Sequence, residues 1–555
     1  MKLVTNIQVA MRDGVHLATD VYLPDGAGPF PTILIRTPYN RTGARMQRKG
    51  GFYSSHGFAV VIQDVRGTGA SPGKEAFYPW MAERDDGQDT LRWVARQGFC
   101  NGKVGTHGGS YLATNQWLAA PDAPECLKCM VAYVGPHSLY HGFYWGGAHY
   151  LAITLTYSLV MAGAVDFSGG LEEGWKEMHK RFWHLPLSDA DLVEGKHNPM
   201  FQDMILRSTY GDYWRMFDSL AEPSRIKVPV LQLCGWFDAY PMQSIRAWEI
   251  MRRKAGSKEA RSGSKILVGA WSHDRAGSRC RDLDFGPNVC IDLYDYEIRW
   301  FKYWLMGIDN GIAAESPLRL FTMGADRWQD FSDWPPPGSE ERRLYLHSGG
   351  KASSLDGDGL LSWEKPRDES PDKYLYDPMN PVPTVGGNHS CDYARIPAGP
   401  MDQREVEKRQ DVLVYSSEVL EEPVEIAGPV RVELHAASTA RDTDFTAKLV
   451  DVQPDGRAIN LSEGIVRARG RDSIYERKPI EPGKVYEYTI HLVDLSHVFL
   501  HGHRIRLEIS SSNFPKYSRN LNTGADSHTT KEVAVAEQTI FHDTRRPSAL
   551  VVWVR

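Results

Sequence analysis

Lys103-Val104-Gly105-Thr106-His107-Gly108-Gly109-Ser110-Tyr111-Leu112-Ala113 is the stretch on which the reading of this chain turns. Lys103 to Thr106 reads as a strand, and the residues after the serine, with Leu112, Trp117 and Leu118, read as a helix. The glycines ahead of Ser110 permit a turn too tight for most side chains, and such a turn projects the serine hydroxyl above the edge of a sheet. A strand that breaks into a helix at a serine has the shape of a nucleophile elbow. A lone Gly-x-Ser is more often a plain structural turn, so the reading depends on partners elsewhere.

Working outward, Pro31 to Ile35 and Phe58 to Ile62 read as buried central strands ending in the turns Thr37-Pro38-Tyr39-Asn40 and Gly67-Thr68-Gly69. Asp85 to Arg96 reads as a helix with Leu91 and Val94 inward, and sheet-like sequence returns at Val228 to Leu233 and Lys265 to Val268. Alternating strands and helices imply a mostly parallel sheet covered by helices. A nucleophilic serine needs a base, an orienting carboxylate for that base, and donors for the oxyanion. The two later strands lead into Gly235-Trp236-Phe237-Asp238 and Trp271-Ser272-His273-Asp274. Ser110, Asp238 and His273 thus follow successive strands in the order used by the α/β-hydrolase fold. Asp274 adjoins the histidine and points away from its Nδ1, while Asp284 follows no recognisable strand, so Asp238 is the expected acid. His107 is expected to face the packing of the sheet rather than its mouth. The backbone N–H of Tyr111 is the expected donor after the nucleophile.

The organisation expected is α/β: a catalytic unit over 1–135 and 228–315, an inserted helical cap over 136–227, and an all-β jelly roll over 316–555. The cap is rich in aromatics, among them Tyr140, Phe143, Tyr144, Trp145 and Trp183. These five suit an apolar or aromatic substrate group, and they suit the core of the cap equally well. Asp333-Trp334-Pro335-Pro336-Pro337-Gly338 ends the helical periodicity, and runs such as Val430 to Leu434, Phe445 to Val452 and Arg504 to Ile509 then alternate as sandwich strands do.

Bulk composition narrows the function classes. The chain has 555 residues, 42% hydrophobic and 24% charged, with a formal net charge of -6. It holds no Lys/Arg-rich block, which argues against a nucleic-acid partner. The apolar run Leu151 to Val165 is too short to span a bilayer, and the amino terminus lacks a leader pattern. Seven cysteines, an odd and low number, suit a reducing compartment, so the cytoplasm is expected. Cys126 and Cys129 read as structural thiols.

Further motifs resemble one family. Met11-Arg12-Asp13-Gly14, Arg36-Thr37-Pro38-Tyr39, Gln63-Asp64-Val65-Arg66-Gly67 and Gly108-Gly109-Ser110-Tyr111 are similar to signatures of the CocE/NonD-type serine hydrolases. That family includes cocaine esterase, α-amino-acid ester hydrolases, glutaryl-cephalosporin acylase-like hydrolases and X-prolyl dipeptidyl aminopeptidases. Tyr376-Asp377-Pro378, Gly502-His503-Arg504 and Ser512-Asn513-Phe514-Pro515 resemble its jelly-roll signatures, so the match covers nearly the whole chain. Leu112 and Ala113 stand where glycines are usual after the serine; alanine is small enough for the elbow to survive. The resemblance implies that the Tyr39 hydroxyl joins the Tyr111 amide in the oxyanion hole. It also implies an ester or amide of a small-molecule acyl substrate, cleaved through an acyl-enzyme without metal or other cofactor. Acyl transfer to an amine or alcohol and X-Pro dipeptide release use the same triad; Asp166, Glu172 or Glu173 would anchor an amino group in the latter. A non-catalytic carbohydrate-binding protein is the competing class. Homo-oligomer formation is left open.

Overall fold

The computed structural model describes residues 1–73, 79–164, 171–273, 277–390 and 396–555. Ten strands form the first sheet: β1 (Lys2–Ala10), β2 (His16–Leu23), β3 (Phe30–Thr37), β4 (Ala59–Asp64), β5 (Cys100–Gly109), β6 (Leu127–Tyr133), β7 (Val230–Gly235), β8 (Lys265–Gly269), β9 (Leu318–Thr322) and β10 (Arg327–Phe331). They lie in the order β1-β2-β4-β3-β5-β6-β7-β8-β9-β10. From β4 through β9 every neighbouring pair is parallel.

Both faces of this parallel block are covered, which is why its strands read as nearly continuous apolar runs. Five helices flank it: α1 (Ala44–Ser55), α2 (Pro79–Ala95), α3 (Tyr111–Ala119) and, past the cap, Pro241–Lys254 and Leu293–Phe301. Alternate residues of a strand face opposite ways. Ile33 and Ile35 of β3 accordingly pack with Met46 and Tyr53 of α1 and with Phe301. Leu34 between them packs with Leu91 and Val94 of α2.

The cap contributes α4 (Leu151–Met161), α5 (Leu171–Trp183) and α6 (Pro199–Leu206), so the two helices after it are α7 (Pro241–Lys254) and α8 (Leu293–Phe301). Leu151, Leu155 and Leu159 recur every fourth residue and meet Met178, Phe182, Phe201 and Ile205 in a separate core. Among the described residues no helix is long and apolar enough to cross a membrane.

Strands from Glu340 to Val554 form a second sheet system of fourteen strands, including β11 (Glu340–His347), β12 (Asp372–Tyr376) and β13 (Ala536–Asp543). One boundary differs from the sequence reading. β9 and β10 fall after the expected division at 315/316, yet they extend the first sheet to Phe331, β9 pairing parallel to β8. An apolar run such as Leu318–Thr322 can pair in either sheet, and its own residues do not say which.

Candidate active site

Ser110 stands between β5 and α3 at φ 58°, ψ -124°, a backbone conformation that L-residues rarely adopt. Such strain persists only where the surroundings impose it. Here Ser110 N donates to Tyr133 O at 2.9 Å, and Ala113 N and Thr114 N donate back to Ser110 O. The close approach expected of a glycine after the serine comes from the other side. A Cβ on Gly135 would lie 2.5 Å from Ser110 O and 2.7 Å from the Ala113 Cβ, so Gly135 makes room for the elbow and Ala113 is accommodated.

The loops after β7 and β8 are pinned to each other. Trp236 N donates to Gly269 O at 2.9 Å and Phe237 N to Trp271 O at 3.0 Å. This brings Asp238 against His273, with Nδ1 and Oδ1 2.7 Å apart. Asp238 is fully buried and its other oxygen accepts from the Tyr240 amide at 3.3 Å, whereas the His273 side chain keeps 17% of its exposure. A carboxylate can only accept, so His273 carries its proton on Nδ1 and presents Nε2 as a base. Ser110, Asp238 and His273 all lie at the carboxyl ends of parallel strands β5, β7 and β8, where open α/β sheets place their ligands. Asp284 is exposed in a short hairpin, and Asp274 lies outside the described residues.

Tyr39 follows β3, the immediate neighbour of β5, and is 42% exposed. Its amide donates to Thr37 Oγ1 at 3.0 Å. Tyr111 is the first residue of α3, where amides lack an intrahelical acceptor. Its phenol is occupied elsewhere, donating to Glu83 Oε1 at 2.5 Å, while Arg36 pairs with the other Glu83 oxygen. Burial pushes the Glu83 carboxyl up, and Arg36 and Tyr111 only partly offset it. This buried cluster anchors the start of α3 and was not anticipated from sequence, because Glu83 lies ahead of the helix read over Asp85 to Arg96 and its partners are distant in the chain.

All five cap aromatics take packing roles. Tyr140 and Tyr144 stack at 5.1 Å, with hydroxyls donating to Ser208 O and Met204 O. Phe143 is buried 6.1 Å from Trp80, which lies over Tyr111. Trp145 Nε1 donates to His491 O at 2.8 Å, and Trp183 sits edge-on to Phe514 under the Arg519 guanidinium. Asp166 and the side chains of Glu172 and Glu173 lie outside the described residues. Beside Asp238 lies a small cavity of about 10 Å³, room for a single water, lined by Tyr150, Ile153, Ala239, His389, Ser390, Ile396 and Lys516. Its far wall belongs to the β unit, a contribution that periodicity cannot reveal. Lys516 bonds Glu463. Burial pushes that carboxyl up, but the Lys516 and Lys448 ammoniums outweigh it and hold it below the usual range. Cys126 and Cys129 have free thiols whose pKa values burial raises, which fits a structural role.

Across its whole length the chain has relatives. It is 36% identical to the cocaine esterase of Rhodococcus sp. (strain MB1 Bresler), over 99% of this chain and 98% of that protein. The chain belongs to the cocaine esterase family of serine hydrolases. Residues 13–275 match the X-Pro dipeptidyl-peptidase (S15 family) model, and residues 310–551 match the X-Pro dipeptidyl-peptidase C-terminal non-catalytic domain. An α-amino acid ester hydrolase superposes with a TM-score of 0.82 at 25% identity, covering 100% of this chain and 97% of that one. An aminopeptidase from a marine sediment archaeon (Thaumarchaeota archaeon) superposes at 0.85 with 24% identity, covering 100% and 96%, and speaks to the fold alone. The family member described here is therefore a serine hydrolase of the ester- or amide-bond class, with an α/β-hydrolase unit, a helical cap and a C-terminal jelly roll.

Proposed function

We propose that Ser110 is the nucleophile, His273 its general base and Asp238 the carboxylate that orients His273. The observation that carries this reading is the 2.7 Å His273–Asp238 contact at the sheet edge that also holds the strained Ser110. His273 Nε2 takes the Ser110 proton as the hydroxyl attacks the substrate carbonyl. The resulting oxyanion is received by the Tyr111 amide and the Tyr39 hydroxyl. Collapse expels the alcohol or amine, which takes its proton from His273. Water deprotonated by His273 then releases the acid from the acyl-enzyme.

The substrate we favour is a small ester with an apolar group. The small cavity beside Ala239 is lined by Ala152, Ile153 and Ile396 together with His389 and Ser390, and its Lys516 ammonium is paired with Glu463. An ester is in keeping with the names of two relatives, a cocaine esterase and an α-amino acid ester hydrolase, while the X-Pro dipeptidyl-peptidase match keeps amide cleavage within the same class. The low, odd cysteine count leads us to place the enzyme in the cytoplasm. A fluorophosphonate probe with peptide mapping tests the reading: labelling is expected at Ser110 and absent in Ser110→Ala. Aryl esters of apolar acids should turn over faster than X-Pro anilides. No labelling of the folded protein would refute the triad.

A further inference from the structure

Beneath the elbow lies a set of charged and polar side chains that the triad does not use. Lys49 and Tyr53 occupy successive turns of α1, His107 lies on β5, Tyr133 on β6 and Glu297 on α8, and all five are more than nine-tenths buried. Lys49 Nζ donates to Tyr133 Oη at 2.8 Å and stands 3.5 Å from His107 Nδ1. On the other side of the imidazole, Nε2 is 2.8 Å from Tyr53 Oη and 3.1 Å from Glu297 Oε2, and the Tyr53 hydroxyl donates to Glu297 at 2.5 Å. An ammonium only donates and a carboxylate only accepts, so the partners set His107 as the neutral Nε2–H tautomer bridging a buried cation and a buried anion. The set reaches the nucleophile through Tyr133. A Cβ on Gly109 would lie 1.9 Å from the Tyr133 ring, and Ser110 N bonds Tyr133 O, so this ring fills the space left by the residue before the serine.

We propose that His107, with Lys49, Tyr53, Glu297 and Tyr133, is a positioning set for the nucleophile. By tying α1 to α8 across β5 it holds Tyr133 against Gly109 and thereby keeps Ser110 in its strained conformation. The proposal rests on Ser110 being the nucleophile. A small displacement of a reacting group costs rate rather than binding. Phenylalanine fits between the rings of Tyr53 and Phe301, 5.1 and 6.2 Å from the imidazole, but makes none of its hydrogen bonds.

His107→Phe is expected to lower kcat and the rate of fluorophosphonate labelling by about tenfold. KM should stay within about twofold, and labelling should still reach full stoichiometry. His107→Gln, which can supply the donor toward Glu297, is expected to recover part of both rates. A single change that strands a buried charge can prevent folding. Lys49→Met/Glu297→Gln removes both charges together, and the same kcat-specific loss is expected there. A folded His107→Phe or double variant with wild-type labelling rate and kcat, or with a loss confined to KM, overturns the proposal. Absence of labelling in the wild type is a different result, and it refutes the nucleophile itself.

Discussion

Two of the groupings of serine, histidine and carboxylate among the described residues bear comparison, because their geometries differ. In the first, Asp238 engages Nδ1 of His273, the described residues place no hydrogen bond on Nε2, and the serine is strained and half-buried. The second lies inside the jelly roll, where Ser348 follows β11, Asp372 opens β12 and His542 lies on β13. There Ser348 donates directly to Asp372 at 2.7 Å, and His542 Nε2 reaches the same carboxylate oxygen at 2.9 Å. Glu369 faces the other ring nitrogen at 3.3 Å. Burial pushes the His542 imidazole down, but Asp372 and Glu369 outweigh it and hold its pKa above the ordinary value. With a carboxylate at each ring nitrogen and Ser348 already donating to Asp372, this histidine is not set to take a serine proton. The same three residue types therefore make a candidate base in one place and a buried tie in the other.

The sharpest way to break this contrast is to remove each serine in turn. Ser110→Ala is expected to lower kcat by about 10⁴-fold or more, while Ser348→Ala leaves kcat unchanged; loss of turnover in the second variant alone would reverse the assignment. Next in size, Tyr39→Phe removes one oxyanion donor and should cost about 10²-fold in kcat with the labelling site unchanged. Wild-type kcat in that variant would take Tyr39 out of the oxyanion hole.

The smallest effect concerns stability in the jelly roll. The folded His542 pKa is raised, so its contribution is fully present below the unfolded histidine value of about 6.5 and is lost as pH rises through the folded value. Thermal denaturation should show stability falling as pH rises above about 6.5, a fall that His542→Gln removes. An unchanged slope would mean that His542 is not charged in the folded protein.

What could be read from sequence was local. The elbow at Ser110 rests on a strand, glycines and a helix within a dozen residues, and Asp238 and His273 were legible because each directly follows a strand-like run. What could not be read was set by contacts between distant segments. His107 was expected to face inward, and it does, but its link between Lys49 and Glu297 joins residues far apart in the chain. The aromatics of the cap offered two readings, and the contacts of Tyr140 with Tyr144 and of Trp183 with Phe514 come from residues whose pairing the sequence does not give.

The chain's own order of strands, turns and chemistry-bearing residues determined the catalytic fold and the candidate triad, because periodicity and turn chemistry act over a few residues. The tertiary structure alone decided that Leu318–Phe331 completes the first sheet, that the small cavity beside Asp238 borrows a wall from the jelly roll, and which ring nitrogens of His273 and His542 face carboxylates. Strand pairing, burial and the direction of an imidazole depend on partners that sequence proximity does not supply.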